Sequence, residues 1–215
     1  MRVKWWLIAF VVGLLGIDAA FATKVATPKT VIPVILVVGD SLSAGYGIDI
    51  NQGWVTLLEK RLNRQGYGYR VVNASVSGET SGGARSRLTK LLELHRPTIM
   101  ILEIGANDGL RGLPVKQTQE NIEAIVAEAK SAGARVLLVG MQMPPNYGAR
   151  YTEEFAAIFP NVAREQGQSL LPFLLDGVAL DMKLVQADGL HPTAAAQPRL
   201  LDNVWQTLKP MLKKK

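Results

Sequence analysis

Apolar residues fall along the chain in two alternating rhythms. Near-continuous runs rich in valine and isoleucine occupy residues 31–38, 69–72, 98–104 and 135–141, with a weaker run at 169–174; their length and β-branched content predict strands buried on both faces. Between them the apolar spacing becomes helical. Trp54, Leu57, Leu58 and Leu62 mark one helix, Ala84, Leu88, Leu91, Leu92 and His95 a second, Val115, Thr118, Ile122, Ile125 and Ala129 a third, and Leu200, Leu201, Val204, Trp205 and Leu208 the last. Strands alternating with amphipathic helices predict a parallel sheet covered on both faces, a doubly wound α/β sandwich whose ligands sit at the carboxyl ends of the strands.

The first 22 residues stand outside that alternation. Arg2 and Lys4 precede an apolar run over residues 5–17, and Ala20-Phe21-Ala22 has the small-x-small form of a cleavage site. We therefore expect a signal peptide over 1–22 cleaved after Ala22, a lead-in over 23–32, a domain over 33–213, and export to the periplasm or beyond. An uncleaved anchor is the weaker alternative, because the run falls short of the roughly 20 residues that span a bilayer. No second apolar stretch of that length follows, so no stable membrane insertion is expected after cleavage.

Composition narrows the chemistry. The 215 residues are 48% hydrophobic and 20% charged, values of an ordinary folded domain. There is no cysteine, which excludes a disulfide framework, a thiolate metal site and a cysteine nucleophile together. The formal charge of +6 becomes +5 once Arg2, Lys4 and Asp18 are removed, and the basic residues are scattered apart from Lys213, Lys214 and Lys215. With no zinc-finger, RNP or basic-helix pattern, no nucleic-acid partner is expected. Two histidines far apart make a metal site improbable, no cofactor motif is complete, and nothing in the pattern demands more than a monomer.

Against that background one strand end stands out. In "VVGDSLSAGYG", residues 37–47, Ser41 directly follows the first strand, where a helix presents its free N–H groups. Either Ser41 or Ser43 merely caps that helix, or Ser41 does chemistry. A serine nucleophile needs a base. His95 lies on the apolar stripe of a helix, the place of a packed or dipole-facing histidine, whereas His191 in "ADGLHPTA" has Asp188 three residues earlier, so that one turn aims a carboxylate and an imidazole together. Alternatively that aspartate caps a turn beside a surface histidine. Acyl transfer also needs oxyanion donors: Asn107 in "GANDG" and Gly78 in "SVSGET" follow two further strands, and the Ser41 amide is a third donor; each also suits an ordinary turn. Asp40 is expected to brace its turn by accepting N–H groups, and Asp108 to cap a helix.

Taken together, "GDSLS", "SVSGET", "GANDG" and "DGLHP" resemble the four signature blocks of the SGNH (GDSL) hydrolases, in the family's order, and the likeness covers essentially all of the chain after residue 22. The resemblance implies a flavodoxin-like three-layer α/β/α sandwich with a five-stranded parallel sheet. It implies Ser41 as nucleophile, His191 as base, Asp188 as its partner, and Ser41, Gly78 and Asn107 as the oxyanion hole. It further implies a serine hydrolase of acyl esters, thioesters or lysophospholipids that needs no cofactor or metal. Leu110, Leu113, Met141, Met143, Pro144, Pro145 and Tyr147 supply apolar material for an acyl groove or, equally, for packing. Gln142 stands where this branch of the family carries an arginine, which counts against charge-based substrate recognition there. Two rival readings keep the strand-end edge: an esterase of acetylated carbohydrates using the same centre, and a flavodoxin-like module that binds a phosphate or flavin without chemistry.

Overall fold

Five strands, β1 (Val34–Gly39), β2 (Arg70–Asn73), β3 (Ile99–Glu103), β4 (Arg135–Val139) and β5 (Ser169–Leu171), pair in the order β2-β1-β3-β4-β5, every neighbour parallel, in the computed structural model. The structure describes residue 1 and residues 32–214; the expected signal peptide, its cleavage after Ala22 and nearly all of the lead-in lie outside the described residues. No described helix is long and apolar enough to cross a membrane. β1 and β3 are buried at every position, because helices cover both faces of the sheet. The two edges are blunted: β2 carries exposed Arg70 and Asn73, and β5 is cut to three residues by Pro172, which has no N–H for the ladder.

Among the described residues seven α-helices follow the strands: α1 (Ser41–Ala44), α2 (Trp54–Arg64), α3 (Ser81–His95), α4 (Ala106–Leu110), α5 (Val115–Ser131), α6 (Ala149–Gln166) and α7 (Gln197–Leu208). α3, α5 and α6 pack side by side, and α2 packs on α7. The chain runs from β1 out to β2, then returns across β1 to β3, and this reversal opens a crevice between the carboxyl ends of β1 and β3. Caps come from distant chain as well as local chain. The Gln197 side-chain carbonyl accepts the Trp54 N–H (3.0 Å) at the start of α2, and Asp108 accepts the Ser81 N–H (2.8 Å) at the start of α3, so Asp108 does cap a helix, though not its own.

α6 has no counterpart in the sequence reading. Pro160 interrupts its pattern and lacks the N–H that would reach the Ala156 carbonyl, yet Phe155, Ile158, Phe159, Val162 and Ala163 form a fully buried stripe. Aromatic rings spaced four residues apart line up along it from the preceding turn: Tyr147–Tyr151 and Tyr151–Phe155 stack with centroids 6.3 Å apart, and Phe155–Phe159 meet edge to face at 5.7 Å. That ladder supports α4 from below: a Cβ on Gly105 would lie 3.5 Å from Phe159, and one on Gly109 3.0 Å from Phe155.

β4 and the chain after β5 meet without space for a side chain. A Cβ on Gly140 would lie 2.2 Å from the Pro172 carbonyl oxygen and 3.1 Å from that of Leu171, both backbone atoms unable to step aside. Gly140→Ala should therefore lower the unfolding free energy by about 1–3 kcal/mol, as overpacking does. Urea unfolding at equilibrium is the check, and an unchanged midpoint would contradict the contact.

Candidate active site

β1 delivers Ser41 to the crevice through a turn that a buried carboxyl organises. Asp40, fully buried, is the N-cap of α1: its Oδ1 accepts the Leu42 N–H at 3.0 Å. α1 lasts only four residues before Gly45 ends it with φ +79, its N–H returning to the Ser41 carbonyl. Capping is thus performed by Asp40, as expected, and neither serine is spent on it. The Ser43 hydroxyl donates to Glu103 Oε2 (2.7 Å), and the Ser41 hydroxyl faces His191 Nε2 (2.9 Å).

The partner of Ser41 comes from a hairpin 150 residues later in the chain. Asp188 Oδ1 accepts the N–H groups of Leu190 (2.9 Å) and His191 (3.0 Å), while its Oδ2 lies 2.7 Å from His191 Nδ1. The His191 N–H, then the Leu190 N–H, then the imidazole hold the Asp188 carboxyl down at about 2. Since an ionised carboxylate only accepts, Nδ1 carries the imidazole proton and Nε2 is left as an acceptor for the serine hydroxyl. Tyr46, half-exposed, lies over the His191 ring with centroids 4.5 Å apart; the sequence reading did not single it out.

Two further segments converge on the same strand ends. The Ala74 N–H donates to the Val37 carbonyl (2.8 Å) and the Val76 N–H to that of Gly39 (2.9 Å), seating the chain after β2 against the end of β1. There Val76 to Glu79 form a turn closed by the Glu79 N–H on the Val76 carbonyl (3.1 Å), with Gly78 at φ +79 in third place. Those are the features of a type II turn, which needs glycine at that place and sets which way the Gly78 N–H faces. The Arg111 guanidinium donates to the Gly78 carbonyl at 2.8 Å. Asn107, on α4 after β3, donates its side-chain amide to Asp40 Oδ2 at 3.3 Å. One aspartate therefore sits between the serine turn and the asparagine.

Beneath the serine turn lies an acidic cluster that the sequence reading missed. Glu103, the last residue of β3, is fully buried; its Oε2 accepts from Ser43 and, at 3.4 Å, from the Asp40 N–H, while Oε1 has no partner among the described residues. Burial, and then the charge of Asp40, push its carboxyl well up; burial likewise raises Asp40 to about 6. The available signal was a lone carboxylate inside the apolar run "IMILEIG".

The remaining candidates scatter. Met141 and Met143 pack with the core at 4% and 8% exposed, and the Met143 sulfur fills the space beside Gly109 that a Cβ would need. Leu110 and Leu113 are half-buried and serve through their carbonyls, accepting from the hydroxyls of Tyr147 (3.0 Å) and Tyr151 (3.2 Å). Pro144 is half-buried, Pro145 exposed, and Tyr147 is 37% exposed. Gln142 is exposed and lines a groove of about 600 Å³ with Phe173 and Asn203. His95 ends α3, half-buried, with no part in the Ser41 cluster.

Comparison with known proteins gives a consistent result. Residues 37–198 match the GDSL-like Lipase/Acylhydrolase family. The chain is 50% identical to Esterase TesA of Pseudomonas aeruginosa over 196 residues, 91% of this chain and 98% of that one. It is 41% identical to Thioesterase 1/protease 1/lysophospholipase L1 of Escherichia coli K12, covering 83% of this chain and 84% of the relative. Among solved structures, a crystal structure of TesA superposes with a TM-score of 0.82 at 53% identity, covering 83% of this chain and 99% of that chain. The psychrotrophic esterase EstA from Pseudoalteromonas sp., inhibited by monoethylphosphonate, does so with 0.80 at 42%, over 83% and 97% of the two chains. The matched span runs from β1 into α7 and takes in the whole crevice, and relatives this similar are covered almost end to end: the chain belongs to the GDSL-like lipase/acylhydrolase family.

Proposed function

We propose that the protein is a serine hydrolase that cleaves carboxylic esters and thioesters of fatty acyl groups, lysophospholipids included, through an acyl-enzyme. One observation carries the reading: the Ser41 hydroxyl, free of any capping duty, lies 2.9 Å from an imidazole whose other nitrogen is held 2.7 Å from a carboxylate. His191 takes the Ser41 proton as the oxygen attacks the acyl carbonyl, and Asp188 stabilises the imidazolium that forms. The Ser41 and Gly78 N–H groups and the Asn107 amide receive the oxyanion. The imidazolium then protonates the departing alcohol or thiol, and water, deprotonated by the same imidazole, releases the acid and restores Ser41.

The relatives support the acyl class, bearing names of an esterase and of a thioesterase and lysophospholipase. Exposed apolar side chains also lie on the segments that carry the site: Tyr46 over His191, Leu190 next to His191 in the chain, and Val76 in the Gly78 turn. Such a rim suits an acyl chain better than a sugar. Export through residues 1–22 belongs to the same proposal.

Hydrolysis of 4-nitrophenyl esters from acetyl to palmitoyl, with Ser41→Ala alongside, tests the reading. Turnover should peak at medium or long chains and fall at least about 10³-fold in Ser41→Ala; equal activity in the variant would sink it. A second test concerns Asp40. Its carboxyl holds a proton up to about 6 in the fold against an ordinary 3.8, so its contribution to stability is largest below 3.8 and is lost as pH rises to about 6. Asp40→Asn removes that dependence, so thermal unfolding across this window should show the variant gaining on the parent as pH rises. The asparagine also turns an NH₂ toward one of the two donors that the carboxylate accepts, the Leu42 N–H or the Asn107 amide, so kcat should drop about tenfold or more. Parallel stability curves with unchanged kcat would contradict both parts.

A further inference from the structure

The pair formed by Ser41 and His191 joins two chain segments that share no secondary-structure element, so something must set the distance between them. The Asp188–His191 turn lies on a hairpin closed by the bridge of Val185 with Pro192 and by the Thr193 N–H on the Leu184 carbonyl (2.8 Å). These contacts shape the hairpin without locating it against the serine. Besides the Tyr46 ring that lies over His191, a hydrogen-bonding side chain crosses the gap. Gln186 Nε2 donates one hydrogen to the Tyr46 carbonyl (2.9 Å) and the other to the Pro192 carbonyl (2.9 Å), and the Gln186 N–H donates to the His191 carbonyl at 2.7 Å. On the far side the Tyr46 N–H donates to the Ser41 carbonyl at 3.1 Å. Hydrogen bonds thus run from Ser41 through Tyr46 and Gln186 to His191, closing a ring around the hydroxyl–imidazole contact. The chain makes room for the crossing at Gly47, at φ +74, where a Cβ would lie 2.2 Å from Gln186 Oε1.

We infer that Gln186 is a positioning residue: its amide staples the acid–base hairpin to the nucleophile loop and holds His191 Nε2 in reach of the Ser41 hydroxyl. The inference rests on the proposed serine-hydrolase reading. An amide is the group the place demands, because two carbonyl oxygens on different segments need two hydrogens from one planar donor. The pull is directional, and geometry at a reacting pair is where small displacements cost most: about 1 Å is worth as much as 10²-fold in rate.

Two substitutions keep the volume and remove the donors: Gln186→Glu sets an ionised carboxylate against two carbonyls, and Gln186→Met sets nothing polar there. In both, kcat on 4-nitrophenyl butyrate should fall about 10- to 100-fold with KM within about threefold. The rate at which a fluorophosphonate labels Ser41 should fall in parallel, since that reaction needs the serine and its base but neither acyl-chain binding nor deacylation. Gly47→Ala, which pushes the amide away from the other side, should cost a similar factor and add little to Gln186→Met, and it decides the matter should both position-186 variants fail to fold. Wild-type kcat and labelling in the folded variants would overturn the inference, as would a rise in KM with labelling unchanged. Absence of Ser41-dependent turnover in the parent protein would instead overturn the hydrolase reading.

Discussion

The carboxyl of Asp40 is the point on which the geometry of the crevice hangs. One oxygen caps α1, which leaves the Ser41 hydroxyl unengaged; the other holds the Asn107 amide at 3.3 Å, which ties the end of β3 to the end of β1. Its own N–H is turned to Glu103. Were the cap supplied by Ser41 or Ser43, as most strand-to-helix turns of this composition allow, a hydroxyl would be lost to the backbone. A buried carboxyl in this place has a cost, visible in its proton affinity, which burial raises to about 6 despite the hydrogen bonds that oppose it. The fold accepts a destabilising group where the chemistry is arranged and offsets it in the core, the common pattern at functional sites.

Glu103 extends the same logic one layer down. A second fully buried acid sits against the first, with one oxygen bonded to Ser43 and the other without a partner. Burial and then the charge of Asp40 raise the hold of Glu103 on a proton, while burial, with a smaller push from Asp108, raises that of Asp40. Close packing leaves the serine turn little freedom above them: a Cβ on Gly39 would fall 2.8 Å from Glu103 Oε2 and 2.9 Å from Ser43. The nucleophile loop is thereby wedged on the most buried part of the sheet.

The acid–base side is built on the opposite plan. Asp188 draws two N–H groups and the imidazole onto itself within four residues, so its relation to His191 is local. Yet this hairpin is largely exposed, and a segment of that kind opens more easily than a central strand. A rigid serine facing a locally ordered but weakly anchored histidine explains why the contacts across the gap, the Tyr46 ring and the Gln186 amide, matter beyond their number.

Periodicity carries information about burial and about neighbours three or four residues away, and it was sufficient for all five strands, four of the long helices and the strand-end positions of Ser41, Gly78 and Asn107. The Asp188-x-x-His191 turn was legible for the same reason, being local. α6 escaped because Pro160 breaks the expected pattern while tertiary burial of Phe155 and Phe159 sustains the helix. For Met141 and Met143 groove and packing stay equally open in the sequence, which does not distinguish an apolar side chain facing a cavity from one facing Gly109. What the sequence determined by itself, then, was the α/β alternation and the set of groups available for chemistry. Only the tertiary structure decided that Glu103 lies beneath Asp40 at a separation of 63 residues, and that Gln186 meets Tyr46 at a separation of 140. The register of a parallel sheet and the close approach of two loops place those atoms, and no local rule of spacing reaches that far.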